Sequence, residues 1–262
     1  MVFITGASSG IGAGLAREFA SQGAAVALLA RRAERLRALA ADIRAAGGHA
    51  LAIPCDVTRE GDLERAVALT IAGLGPINVV VANAGFGVVG PFTKLRLDDY
   101  RRQFETNVFG VLRTVYATID ELVRSRGTLV VIGSVSGHIS TPGSSPYAMS
   151  KHAVRAYAEA LRGELAPQGV GVVLITPGFV KSEIRLVDNH GRLHPDAPDT
   201  VPAWLRMPTE RAARQIVSAT ARQRREKIVT LHGKFAVFLY RHAPWLVRLL
   251  APRRRLARSE PT

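Results

Sequence analysis

Tyr147 and Lys151, in the run Tyr147-Ala148-Met149-Ser150-Lys151, stand four residues apart, and Ser134 precedes Tyr147 by thirteen. On a helix, residues four apart share a face, so the spacing sets an ammonium beside a phenol. A neighbouring cation favours the phenolate, and the Tyr147 pKa is expected to fall toward neutrality. Tyr147 could then donate or remove a proton at working pH, which an isolated tyrosine does poorly. The pattern alone is common on helix surfaces. Its weight comes from the opposite end of the chain.

There, Thr5-Gly6-Ala7-Ser8-Ser9-Gly10-Ile11-Gly12 follows the apolar Val2-Phe3-Ile4, and Leu15, Ala16, Phe19 and Ala20 then recur at helical spacing. The glycines therefore fall on a strand-to-helix turn, where they permit a tight bend and close backbone approach. The free N–H groups and positive dipole of such a helix start suit a pyrophosphate. The spacing is G-x-x-x-G-x-G, not the more widespread G-x-G-x-x-G.

With these motifs in this order, the chain resembles the short-chain dehydrogenase/reductase family over roughly residues 1 to 185. The resemblance implies a cofactor turn at Gly6, Ser8, Ser9, Gly10, Ile11 and Gly12, and a pair beside the adenine at Asp56-Val57. It also implies the N-A-G of the fourth strand at Asn83-Ala84-Gly85 and a catalytic tetrad of Asn107, Ser134, Tyr147 and Lys151. Pro177-Gly178, with Val180 and Ser182 beyond it, matches the segment near the nicotinamide, and Ser182 stands where the family often has threonine. On that resemblance, Tyr147 exchanges the proton, Ser134 holds the substrate oxygen, Lys151 bonds the nicotinamide ribose and Asn107 positions a water.

An acidic residue ending the second strand would accept from the adenosine ribose and repel a 2′-phosphate. This chain reads Leu28-Leu29-Ala30-Arg31-Arg32, so NADP(H) is the preferred cofactor expected, with NAD(H) as the alternative. Two points weigh against it. Arg31 and Arg32 could simply open a solvated helix, as Arg35 and Arg37 are read to do, and Ser9 replaces a basic residue found in many NADP-preferring relatives.

Apolar runs at Val2–Thr5, Ala25–Ala30, Ala50–Pro54, Val79–Ala82, Thr128–Gly133 and Gly171–Thr176, with a weaker one at Lys227–Leu231, alternate with helical stretches. Those stretches are Gly10–Gln22, Ala33–Ala46, Arg59–Leu74, Asp98–Val123, Tyr147–Leu165 and Thr209–Arg222. This is the α/β pattern of a doubly wound parallel sheet of the Rossmann type, one domain over residues 1–231. The 262 residues suffice for one such domain, and the single Cys55, read as a small buried residue, leaves no internal disulfide and fits a reducing compartment. No signal peptide precedes the first strand, and a cytoplasmic location is expected.

Residues 183–208 read as a substrate lid or an ordinary loop; Phe179, Leu186, Trp204 and Met207 are the candidates to meet an apolar ligand. His190 and His194 with Asp188 and Asp196 lie in a Pro-rich segment where helical spacing does not apply, so no metal is expected. The formal charge is +14, of which +11 falls between Arg206 and Thr262. In the tail 232–262, the run Phe235–Tyr240 and a face of Trp245, Leu246, Leu249 and Leu250 precede Arg253-Arg254-Arg255. These segments are too short to span a bilayer. They suit an anionic membrane surface, or else packing against the domain or a sister subunit. The aromatics are not interleaved with cations, which argues against a nucleic-acid groove. The expected activity is interconversion of an apolar or lipid-like carbonyl and its alcohol, in a homodimer or homotetramer. A cofactor-sensing regulator without turnover is the rival, though it would be expected to have lost Ser134, Tyr147 or Lys151.

Overall fold

Strands rich in Val, Leu, Ile and Ala on both faces need cover on both sides, and the chain supplies it with helices. The computed structural model describes residues 1–245. Its strands are β1 (Val2–Thr5), β2 (Val26–Ala30), β3 (Ala50–Pro54), β4 (Val79–Ala82), β5 (Thr128–Ile132), β6 (Gly171–Thr176) and β7 (Glu226–Ile228). They form one parallel sheet in the order β3-β2-β1-β4-β5-β6-β7. The helices are α1 (Gly10–Ser21), α2 (Ala33–Ala45), α3 (Asp62–Leu74), α4 (Leu97–Phe104), α5 (Gly110–Ser125), α6 (Ser145–Leu165), α7 (Thr209–Ala221) and α8 (Leu231–His242).

Two cores result. On one face Ile4, Leu28, Val81, Val130 and Ile175 meet Leu15 of α1, Leu36 of α2 and Ile216 of α7. On the other, Phe3, Leu29, Val80, Leu129 and Leu174 meet Leu63 of α3, Leu122 of α5 and Val154 of α6. The chain direction across the sheet reverses between β1 and β4, which opens a crevice beyond the carboxyl ends of those strands.

Three elements depart from expectation. The single helix expected over 98–123 is broken by a π turn, Glu105–Phe109, between α4 and α5. The extra residue in such a turn shifts the helix phase and turns Asn107 fully inward. The seventh strand ends at Ile228, because Thr230 caps α8 by accepting from the Gly233 N–H and turns the chain into helix at Leu231. The apolar run Phe235–Tyr240 lies on α8, which packs on β7 and on the turn after Ser134, with Gly233 and Val237 buried. Of the further tail segment, Leu246, Leu249, Leu250 and Arg253-Arg254-Arg255 lie outside the described residues. Among the described residues, no helix is long and apolar enough to cross a membrane.

A polar cluster fastens this edge of the sheet. Glu226 Oε1 lies 2.8 Å from His138 Nε2 and accepts from Thr176 Oγ1 at 2.9 Å, and Arg241 of α8 donates to Oε2 at 3.3 Å. Burial pushes the Glu226 carboxyl up, but the bonds from His138 and Thr176 outweigh it and hold the pKa at about 2, against 4.5 for a free glutamate. A carboxyl depressed on folding stabilises above its unfolded pKa and loses that contribution as pH falls toward its folded one. Glu226→Gln should therefore cost about 1–3 kcal/mol near neutrality. The gap to wild type should close as thermal melts are run from pH 4.5 downward; a gap that does not vary with pH would show that the carboxylate charge is not what holds this edge.

Candidate active site

The crevice is closed at its base by Thr5 and Asn83, at the ends of the two strands that flank it. Thr5 Oγ1 accepts from the N–H groups of Asn83 and Ala84 at 3.0 and 3.1 Å, and Asn83 Nδ2 donates to the Thr5 and Gly6 carbonyls at 2.9 and 3.2 Å. The glycine turn is thereby pinned against Ala84. A Cβ on Gly6, whose φ is +67°, would lie 2.8 Å from Ala84 Cα, and one on Gly12 would collide with the Gly6 carbonyl. Gly10 starts α1 with φ +52°, and a Cβ there would meet Ser182 at 2.9 Å. Backbone this close, with the N–H groups of α1 open toward the crevice, fits a dinucleotide pyrophosphate.

Arg32 forms the next wall. Its guanidinium donates to Ser8 Oγ at 3.0 and 3.1 Å, to Ser9 Oγ at 2.7 Å and to Glu183 Oε2 at 2.9 Å. Arg35, read from sequence as a solvated helix residue, also binds Glu183, reaching both carboxylate oxygens at 2.7 Å. Arg31 is exposed beside them. At the end of β3, Asp56 Oδ1 accepts from the Thr58 N–H and hydroxyl at 3.0 and 2.8 Å, and the Val57 side chain is buried against Gly110. Cys55 is buried as expected, and burial and the Asp62 charge push its thiol up to about 12.

The residues expected to react come from the end of β5 and from α6. Ser134 follows β5 in extended backbone and accepts from the Ser136 N–H at 3.1 Å. Tyr147 lies in the first turn of α6, with Lys151 Nζ 5.9 Å from its ring centroid. Lys151 is buried and donates to the Ile132 carbonyl at 2.8 Å. The expected fall of the Tyr147 pKa is not found. Burial pushes the phenol up, against the pull of the Ser134 hydroxyl and the Arg185 charge. Lys151 moves the other way, pushed down by burial to about 8.

Asn107 does not touch Tyr147 or Lys151 by any hydrogen bond of its side chain. Its Nδ2 donates to the Phe86 carbonyl at 3.0 Å and to Ser150 Oγ at 3.2 Å, while Oδ1 accepts from the Phe86 N–H at 3.1 Å. A Cβ on Gly85 would press on that Oδ1 at 3.0 Å. Asn107 thus ties the loop after β4 to α6, with help from the buried Gln103, which accepts from the Val88 N–H at 2.6 Å and donates to the Phe86 carbonyl.

After β6 the chain runs through Pro177 and Gly178 to Ser182, which stands against Gly10 of the glycine turn, whereas the Val180 side chain is buried in the core. A Cβ on Gly178 would collide with Thr230 Oγ1 and His232 of α8. His232 Nε2 accepts from the Phe179 N–H at 3.0 Å, and the two rings stack at 5.3 Å. The lid is pinned at several points: Asn189 exchanges two bonds with the Val89 backbone, and Asp199 accepts from Arg185 and Arg206. Asp188 accepts from the His190 and Arg192 N–H groups and lies 2.9 Å from His194 Nε2, so it shapes a turn. Of the apolar candidates, Phe179 is exposed and stacks on His232, Trp204 is 84% exposed, Leu186 is half-buried, and Met207 packs on the core. Gln103, Glu183, Arg185 and His232 escaped the sequence reading, since each acts on partners distant in sequence.

Residues 1–192 match the family model described as short chain dehydrogenase. A Bos taurus protein named dehydrogenase/reductase SDR family member 7B is 33% identical over 270 residues, covering 99% of this chain and 82% of the relative. The 11-beta-hydroxysteroid dehydrogenase A of Sesamum indicum is 34% identical over 268 residues, covering 95% and 75%. The solved short-chain dehydrogenase of Sphingobium yanoikuyae in complex with NADPH is 29% identical, with a TM-score of 0.76 and 98% of each chain covered. The sequence match, the sheet order and the paired Tyr147 and Lys151 converge: the chain belongs to the short-chain dehydrogenase/reductase family and is an NAD(P)-dependent oxidoreductase.

Proposed function

We propose that the protein interconverts an apolar or lipid-like ketone or aldehyde and its alcohol, with NADP(H) preferred over NAD(H). The observation that carries the chemistry is the meeting of Ser134, Tyr147 and Lys151 at the end of β5, each on a rigid element. The nicotinamide supplies or accepts the hydride when bound. Ser134 holds the substrate oxygen, and Tyr147 gives it the proton in reduction or removes one in oxidation. Burial disfavours charge on both groups, raising the phenol and lowering the Lys151 ammonium to about 8, so Tyr147 enters the reaction as the protonated phenol, the form that donates in reduction. Because the Asn107 side chain is committed to Phe86 and Ser150, the water-positioning role proposed for this residue falls to its main chain in the π turn.

Gly6, Ser8, Ser9, Gly10, Ile11 and Gly12 would hold the pyrophosphate, Asp56 and Val57 the adenine, and Asn83-Ala84-Gly85 the ribose side. Pro177, Gly178, Val180 and Ser182 would flank the nicotinamide, and Lys151 would bond its ribose. The preference for NADP(H) rests on Arg31 and Arg32 at the end of β2, where no carboxylate stands. An apolar substrate is supported by the exposed Val89, in the loop that follows Asn83-Ala84-Gly85, by the exposed Phe179 and by the hydroxysteroid named for the sesame relative. Exposed Phe109 and Tyr116, seven residues apart along α5 and its entry, support a homodimer or homotetramer.

A second reading concerns α8. Leu231, Phe235 and Phe238 are exposed along one side of it, and Lys234, Arg211 and Arg214 line the adjacent cleft. Apolar groups rimmed by cations suit the surface of an anionic membrane, so we propose a cytoplasmic protein that rests peripherally on one.

Tyr147→Phe should lower turnover at least about 100-fold across a panel of ketones and aldehydes while leaving the NADPH dissociation constant nearly unchanged. Substantial residual turnover would sink the mechanism. Arg31→Ala with Arg32→Ala should weaken NADPH by more than about ten-fold and NADH far less, as read by fluorescence titration; equal losses would refute the cofactor preference. Phe235→Ser with Phe238→Ser should abolish flotation with phosphatidylglycerol vesicles while keeping the melting temperature. Unchanged flotation would assign the exposed side of α8 elsewhere.

A further inference from the structure

The ion pair between the lid and α2 bears on the same wall that the cofactor preference invokes. Arg32 directs every guanidinium nitrogen at an acceptor: Nε and Nη2 at Ser8, Nη2 also at Ser9, and Nη1 at Glu183. Arg35 supplies a second guanidinium to both oxygens of the Glu183 carboxylate. Two arginines and two serine hydroxyls thus form an anion site, and the anion in it is a side chain of the lid. Glu183 reaches it from directly above the glycine turn, because Ser182 already touches the place where a Gly10 Cβ would stand. The carboxylate is neither buried nor free: 31% of its side chain is accessible.

We propose that Glu183 is an internal competitor for the adenosine 2′-phosphate and so sets the affinity and selectivity for NADP(H). The proposal rests on the NADP(H) reading given above. A carboxylate and a phosphate can each present two oxygens to a guanidinium fork, and both bind it by charge-assisted hydrogen bonds. A 2′-phosphate exchanges one anion for another at Arg32 and Arg35. A nucleotide with a bare 2′-hydroxyl brings no anion to exchange and leaves Glu183 in place. The competitor acts only on the nucleotide that brings a 2′-phosphate to Arg32 and Arg35, and so narrows the preference that the arginines create. The sequence hides the arrangement, because Glu183 is separated from its partners by 148 and 151 residues.

The test is calorimetric titration with 2′,5′-ADP and with 5′-ADP, nucleotides that carry the adenosine phosphates without the nicotinamide, at fixed ionic strength. Glu183→Gln should tighten 2′,5′-ADP by about five-fold and 5′-ADP by less than about two-fold. Glu183→Asp, which keeps the charge but shortens its reach, should also gain affinity for 2′,5′-ADP alone. An equal gain for both nucleotides would mean only that a distant negative charge had been removed, and it overturns the proposal. So does unchanged or weaker 2′,5′-ADP binding in Glu183→Gln. If wild type and both variants all fail to distinguish the two nucleotides, the NADP(H) reading itself falls. A wild-type preference for 2′,5′-ADP that neither variant alters removes Glu183 as the competitor and leaves that reading standing.

Discussion

The clasp between Thr5 and Asn83 is the constraint on which the rest of the site depends. A parallel sheet that reverses its winding leaves unpaired backbone groups where β1 and β4 part, and buried polar groups of that kind must find partners. Thr5 Oγ1 and Asn83 Nδ2 provide them across the gap, each making two bonds to the other's strand end. Closing the gap brings Gly6 against Ala84 so tightly that only glycine fits, which fixes the floor of the crevice. The adjoining N-A-G loop is held in turn by Asn107 and Gln103, and Asn107 leads through Ser150 to the helix that carries Tyr147 and Lys151. One chain of hydrogen bonds therefore runs from the glycine turn to the helix that carries Tyr147 and Lys151.

Much of this was legible in the sequence because it is local. β1, β3, β4 and β6 have the bounds their apolar runs implied, and the glycine spacing located the turn before α1. Ser134, Tyr147 and Lys151 do converge, since a strand end and a helix start are close in a sheet of this winding. The π turn was not legible, because the apolar periodicity on either side of Glu105–Phe109 reads as one continuous helix. Nor was the partner of Arg35: a guanidinium on an open helix face looks solvated until a residue from the far side of the fold is placed beside it. His232 and Gly178 are of the same kind, a close approach that no spacing in the sequence reveals.

The electrostatics of the reactive pair also had to come from the structure. Residue types predict that lysine acidifies tyrosine, but burial acts on both groups at once and opposes charge on each. The phenol rises and the ammonium falls to about 8, so neither is held firmly in its charged state. The Arg185 charge favours the phenolate from the lid side, and Asp199 accepts from Arg185 at 2.7 and 2.8 Å and moderates it. The acid–base behaviour of Tyr147 is thus set partly by a segment that the strand and helix pattern treats as a loop.

The contact between His232 and the Phe179 N–H joins residues 53 positions apart, the later of them at the head of α8. During synthesis, the Pro177–Val180 segment emerges from the ribosome well before the helix that braces it. Gly178 has no side chain to hold its own position, and the groups packed against it, Thr230 and His232, have yet to be made. That segment accordingly takes its final shape only once the head of α8 has been made. A chain released early, with Ser134, Tyr147 and Lys151 already translated, would still lack that brace.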